Sequence, residues 1–215
     1  MALSLRLIAG SLPRPREGGR RAWLTVCAVL VLPSLLIPPG SGIARLSLAW
    51  APELAWSQPW RGWTAAWVHL SELHLLANLA GALLVLLFGA LARLPRDAAW
   101  AWALAWPLTH LSLLLTPELP RYGGLSGVLH AGVAVVAVTL VRGSAGRAAR
   151  WLGAAVALGL LLKVLGERPW AQTLVVPPGW DIAVVPLAHA SGAFWGALLA
   201  LLLPLVRSRG HSSAR

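Results

Sequence analysis

The sequence predicts an all-α polytopic membrane protein, and three observations predict it: the composition, the length of the apolar runs and the placement of the arginines. Of the 215 residues, 58% are hydrophobic and 12% charged, about half the charged share of an average soluble domain. The mean hydropathy is +0.71. Such a chain has too little polar surface to clothe a water-facing globule, so its long apolar runs read as bilayer spans of about 20 residues. The bilayer core admits only backbone that satisfies its own hydrogen bonds. The runs are rich in Ala, Leu, Val and Gly and do not alternate apolar with polar residues as a membrane β-barrel does, so helices are expected.

Six runs qualify, at 23–37, 75–91, 98–115, 125–141, 151–165 and 182–206. The first stops at Pro38-Pro39. The fifth is short and carries Lys163. The chain divides into a basic N-terminal segment (1–22), one membrane domain (23–206) and a basic tail (207–215). The first loop, from Pro38 to about Glu72, is rich in Trp, Pro and Ser and is expected to lie at the outer leaflet. The fifth loop, 166–181, holds Pro169, Pro177, Pro178 and Gly179 and is long enough to cover what lies below it. The moderately apolar stretch 3–12 is followed by arginines rather than by a small-residue cleavage site, so no cleaved signal peptide is expected.

The formal charge of +11 is distributed for a membrane rather than for nucleic acid. With a cytoplasmic N-terminus, Arg6, Arg14, Arg16, Arg20, Arg21, Arg93, Arg96, Arg142, Arg147, Arg150, Arg207, Arg209 and Arg215 fall on the cytoplasmic side. Arg45, Arg61, Arg121, Lys163 and Arg168 fall on the outer side. This positive-inside bias puts both termini in the cytoplasm. It makes the lipid bilayer the partner of the basic residues, through its anionic headgroups. Cys27 is the sole cysteine, so no intrachain disulfide forms and the thiol reads as packing. Of thirteen tryptophans, Trp50, Trp56, Trp60, Trp63, Trp67, Trp170 and Trp180 are placed for an interfacial belt.

Four polar residues stand where a bilayer should exclude them: His74, Asn78, Ser126 and His189. Each has a bland reading, since Ser and Asn join transmembrane helices and a lone His is often a satisfied core residue. Their depths agree, however. The even-numbered runs pass from outside to inside, and all four residues sit in the outer half of the bilayer, where polar groups facing the bundle imply function. His74 and Asn78, four apart, share one helical face. Gly192 and Gly196 form a small-xxx-small face beside His189 that admits a close neighbour.

Together these groups are suited to acyl transfer. A serine hydroxyl needs a neighbouring base to become a nucleophile. His189 is placed to accept the Ser126 proton and return it to the leaving amine. His74, Asn78 and the Ser126 N–H are candidate donors to the oxyanion. Asp181 lies in a loop, so a two-residue dyad without an acidic member is expected. Lys163 and Glu167, spaced for a helical ion pair, read as neutralising one another. His130, one turn after Ser126, is a competing base. His110 and His211 have no context. The chain has no His-Glu-x-x-His, and no cofactor is expected.

These residues, in this order, resemble the rhomboid intramembrane serine proteases. The likeness comprises Trp60-Arg61, His69, His74-x-x-x-Asn78, Gly124-x-Ser126-Gly127 and His189-x-x-Gly192-x-x-x-Gly196, and it runs across nearly the whole six-helix core. It implies the six-helix rhomboid bundle, a Ser126–His189 dyad, oxyanion help from His74 and Asn78, and structural roles for Trp60, Arg61 and His69. A narrower resemblance, to the rhombosortases, rests on the stretch 122–130 and on Lys163-x-x-x-Glu167, with Gly166-Glu167-Arg168 departing from that group's aromatic-rich version. It implies a bacterial inner membrane, a site on the periplasmic side, and membrane-anchored exported substrates with a Gly-Gly-bearing C-terminal anchor. The alternatives are an inactive rhomboid-like binding protein or a small transporter. An inactive relative typically lacks one of the two residues present here.

Overall fold

Apolar side chains turned outward mark this molecule as one made for lipid: Leu36, Leu76, Leu84, Leu91 and Leu162 are all at least 60% exposed. The structure is a computed structural model and describes residues 17–212. Arg6, Arg14, Arg16, Arg215 and the stretch read for a cleavage site lie outside the described residues, as do the side chains of Arg207, Arg209 and His211. In chain order the helices are α1 (Glu17–Leu36), α2 (Gly42–Leu48), α3 (Arg61–Thr64), α4 (Glu72–Leu91), α5 (Arg96–Leu111), α6 (Ser126–Arg142), α7 (Arg147–Gly166) and α8 (Pro186–Ser212), with short 3-10 turns between. Among the described residues there is no strand, only the isolated bridges Trp50–Tyr122 and Val175–Val184.

Among the described residues, five helices are long and apolar enough to cross a membrane: α1, α4, α5 with its 3-10 extension, α7 and α8. The fourth apolar run forms α6, which has 17 residues and is shorter than these five spans. Sequence punctuation explains most boundaries. Pro38 follows α1 closely, and the residue before a proline is pushed out of helical geometry. Ser71 caps α4 by accepting from the His74 amide at 3.1 Å. Pro186 opens α8, where its missing N–H costs nothing. The last run therefore starts as helix four residues later than the apolar pattern suggests. Val184 pairs instead with Val175 through bonds of 2.8 and 3.0 Å. His189 thus lies in the first turn of α8, not two turns in.

α6 is the central helix, packed against α4, α5, α7 and α8. Its contact with α8 is backbone on backbone. A Cβ on Gly192 would overlap the Gly127 carbonyl oxygen, and one on Gly196 would overlap that of Ala131. Dispersion and weak contacts between closely apposed backbones hold such seams in an apolar solvent. Tryptophan locks the other side. Trp23 and Trp102 rings meet at 4.4 Å, and their indole N–H groups donate to the Val85 and Val128 carbonyls at 3.2 and 2.8 Å. Trp56, Trp60, Trp63 and Trp170 are exposed, in keeping with a belt, but Trp50 is fully buried. Its backbone bridges to Tyr122, which places it in the core beneath the first loop.

That loop is folded onto the bundle. The buried Arg61 guanidinium donates to the Leu46 and Ala49 carbonyls, both at 2.6 Å, and to Gln58 Oε1 at 2.7 Å. His110, which sequence context left without a role, donates through Nδ1 to the Gly62 carbonyl at 2.7 Å and is fully buried. Cys27 is buried in packing against Ala82. One helix departs from this close packing. Only 6% of the α7 span is buried, against 28% to 50% for the other four spans.

Candidate active site

Ser126 is the first residue of α6 and His189 the fourth of α8. The glycine seam brings these two helices together at the level of both side chains. His189 Nε2 lies 2.9 Å from Ser126 Oγ, within the reach expected of a nucleophile and its base. They open onto a cavity of about 710 Å³ between α4, α6, α7 and the loop before α8. His74, Asn78, Lys163 and Glu167 line it as well, while deeper down Leu84, Val133 and Val156 make it apolar. All four polar residues singled out by depth meet at this one cavity.

His74 and Asn78 line the same cavity as Ser126. The Leu70 amide donates to His74 Nδ1 at 3.3 Å, so the proton of a neutral His74 sits on Nε2. That nitrogen is directed at Gly124, where an added Cβ would come within 2.6 Å of it. Gly124 also has φ +130°, a backbone region open in practice only to glycine. The Asn78 amide nitrogen donates to the His74 carbonyl at 3.0 Å, which leaves its second N–H for the cavity. Ser126 is at a helix N-terminus, where the first amides have no intrahelical acceptor. His74, Asn78 and the start of α6 thus bring N–H groups to the same cavity.

The competing base is excluded by geometry. His130 directs Nδ1 to the Ser126 backbone carbonyl at 2.6 Å, not to the hydroxyl. Its ring stacks on His189, with centroids 4.3 Å apart and planes 12° from parallel.

One expectation is overturned. An acidic group does reach the histidine: Glu167 Oε2 is 2.7 Å from His189 Nδ1. Glu167 caps α7 just past its last turn, and its partner Lys163 is bonded to the other carboxylate oxygen at 2.8 Å. Lys163 Nζ also approaches His189 Nδ1, at 3.1 Å. The ion pair predicted by the spacing exists, but it is docked on the histidine rather than merely neutralising itself. Burial would raise the Glu167 pKa, yet the hydrogen bonds and charges of His189 and Lys163 together overcome it and hold the carboxyl down to about 2. The available sequence signal was that Lys163 and Glu167 end a span at the depth where Ser126 begins one.

Asp181, by contrast, accepts from Ser71 Oγ at 2.9 Å and so ties the 167–185 connection to the start of α4. Trp180 and Pro177 of that connection cover the cavity. A second tie joins Thr173 to Glu118. His69 donates through Nδ1 to the Trp67 carbonyl at 3.3 Å, and burial lowers its pKa to about 4, so it stands neutral beside His74 as part of the wall. Among the described residues, no group of three or more His, Cys, Asp or Glu side chains is arranged to hold a metal ion. No protein-family model matches this chain, and no curated protein is significantly similar to it. The chemistry of the site is therefore argued from its geometry.

Proposed function

We propose that this protein is an intramembrane serine endopeptidase of the rhomboid kind, with Ser126 as nucleophile and His189 as general base. The observation that carries the reading is the 2.9 Å contact of Ser126 Oγ with His189 Nε2 in a polar pocket walled by apolar helices. In this reading α6 completes a six-span bundle in a bacterial inner membrane, with both termini cytoplasmic and the site toward the periplasm. The substrates are exported proteins held by a membrane anchor, the Gly-Gly-bearing C-terminal anchor being the class implied by the 122–130 motif.

The steps follow from the groups in place. Ser126 Oγ attacks the scissile carbonyl carbon as its proton passes to His189 Nε2. The carbonyl oxygen becomes an oxyanion held by the Ser126 N–H, His74 Nε2–H and Asn78 Nδ2–H, each such donor being worth about 3 kcal/mol of barrier. The imidazolium returns the proton to the leaving amine nitrogen and the C–N bond breaks, leaving an acyl ester on Ser126. Water, deprotonated by the same His189, then cleaves that ester and restores the serine.

The test is covalent trapping in lipid vesicles with a fluorophosphonate, which phosphonylates an activated serine hydroxyl. Wild type is expected to label at Ser126, and Ser126→Ala not at all. His189→Ala should label about 1,000-fold more slowly or less, as single members of such units do when lost. Equal labelling of His189→Ala and wild type would sink the reading.

A further inference from the structure

His189 Nδ1 has two neighbours that make opposite demands on it, and the outcome decides whether Nε2 can act as a base. We propose that Glu167 is a positioning residue that keeps His189 in the tautomer able to take the Ser126 proton, against an opposing pull from Lys163. This rests on the protease reading above.

An ammonium only donates and a carboxylate only accepts, while each nitrogen of a neutral imidazole carries either a proton or a lone pair. Were Lys163 to bond Nδ1, it would need the Nδ1 lone pair, so the ring proton would sit on Nε2. Nε2–H would then face Ser126 Oγ, and the hydroxyl proton would have no acceptor. Were Glu167 to bond Nδ1, the proton would stay on Nδ1 and the Nε2 lone pair would face the hydroxyl.

The distances favour the carboxylate, 2.7 Å from Nδ1 against 3.1 Å for the ammonium. Both contacts would be charge-assisted, so the shorter distance is what separates them. Glu167 further restrains its rival, because its Oε1 takes the ammonium at 2.8 Å. One carboxylate therefore orients the base with one oxygen and engages the opposing cation with the other. Exposure sharpens the choice. The His189 side chain is 6% exposed and that of Glu167 25%, so water has little access to Nδ1 as a substitute acceptor. Lys163 and Glu167 are four residues apart on one face of α7, which presents both to the first turn of α8. When Ser126 gives up its proton the ring becomes an imidazolium, which Glu167 stabilises and Lys163 opposes.

A consequence follows that packing alone does not produce. In Glu167→Gln the lysine is released and Nδ1 is open to it, so the loss should exceed that of a hydrogen bond. Removing the lysine as well should restore part of the rate.

The experiment measures fluorophosphonate inactivation of Ser126 as kinact and KI, in wild type, Glu167→Gln, Lys163→Met and Glu167→Gln/Lys163→Met. The expected result is a fall in kinact of about 100-fold or more in Glu167→Gln, on the scale of wrong-tautomer variants of serine hydrolases, with KI within about twofold. The double variant should recover about tenfold of that loss and exceed any gain in Lys163→Met alone, a non-additivity that only interacting groups show. Nitrogen-15 NMR of histidine-labelled wild type should place the His189 proton on Nδ1, a readout independent of whether any variant folds. The inference is overturned by a Glu167→Gln protein that reacts at the wild-type rate, by a change confined to KI, by a double variant no faster than Glu167→Gln or no further above it than Lys163→Met is above wild type, or by a wild-type proton on Nε2. Failure of wild type itself to label is a different result and overturns the protease reading instead.

Discussion

The seam between α6 and α8 and the loosely seated α7 meet at the same histidine, yet they are built on opposite principles. At the seam, Gly127, Gly192 and Gly196 let backbone touch backbone, so the separation of Ser126 from His189 is set by atoms that cannot move independently. α7 has only 6% of its span buried. Its one closely packed glycine, Gly153, faces the Ala137 carbonyl, while Gly159 has nothing within 4 Å. What holds the outer end of α7 is polar: Lys163 and Glu167 docked on His189. Ser126 and His189, the proposed nucleophile and base, ride on the close-packed pair. Glu167 arrives on the sparsely buried wall of the cavity.

The largest effect that tests this contrast is expected at the seam. Gly192→Leu drives a side chain into the Gly127 carbonyl and should cost about 3 kcal/mol or more, the upper range for overpacking. Thermal unfolding in detergent should fall sharply and labelling of Ser126 should vanish. A Gly192→Leu protein with unchanged unfolding would mean that the seam is not what fixes the pair.

The same enlargement on the other helix should behave differently. Gly159→Leu fills cavity space without meeting a neighbour, so thermal unfolding should stay where it is. Binding of a bulky probe should weaken about tenfold, or roughly 1.4 kcal/mol. Loss of stability there would break the comparison.

Acidification tests the fastening of α7. The Glu167 carboxyl is held below its unfolded value of about 4.3, so its contribution is fully present above that pH and is lost as pH falls toward about 2. A spin-label distance between α7 and α8 should be constant from about pH 8 to about pH 5 and lengthen below about pH 4. A constant distance throughout would mean that α7 is held by something else.

The smallest effect is expected at the cover. Asp181→Ala removes one exposed hydrogen bond to Ser71, worth about 1 kcal/mol at most, and leaves the Ser71 cap on α4 intact. Labelling should accelerate up to about threefold as the cover loosens, with no change in unfolding. Slower labelling would show that the tie aligns the site rather than restraining the loop.

The membrane class, the helical content and four of the polar residues at the cavity were legible in the sequence for one reason. A bilayer penalises polar groups heavily, so Ser126, His189, His74 and Asn78 stand out against their surroundings. Glu167 did not stand out, because it lies just past the end of an apolar run and already had a satisfactory partner in Lys163. Trp50 was misplaced for a related reason. An indole near a span end looks interfacial until the bridge to Tyr122 shows the chain folding over it. The start of α8 was misjudged because Val184 and Val185 are as apolar as any helix residue, and only the pairing of Val184 with Val175 reveals extended backbone.

The sequence alone determined what each stretch must avoid: water for the apolar runs, the bilayer core for the arginines, and unsatisfied backbone for everything in between. It also determined that a hydroxyl, two imidazoles and an amide share one depth, since depth is simply distance along a helix from the end of a run. Which nitrogen of His189 faces the serine, and that a carboxylate stands behind it, was decided only when α7 came to rest against α8. Those facts depend on angles between helices that touch lightly, and such angles are set by a few contacts far apart in the chain rather than by the local pattern of any segment.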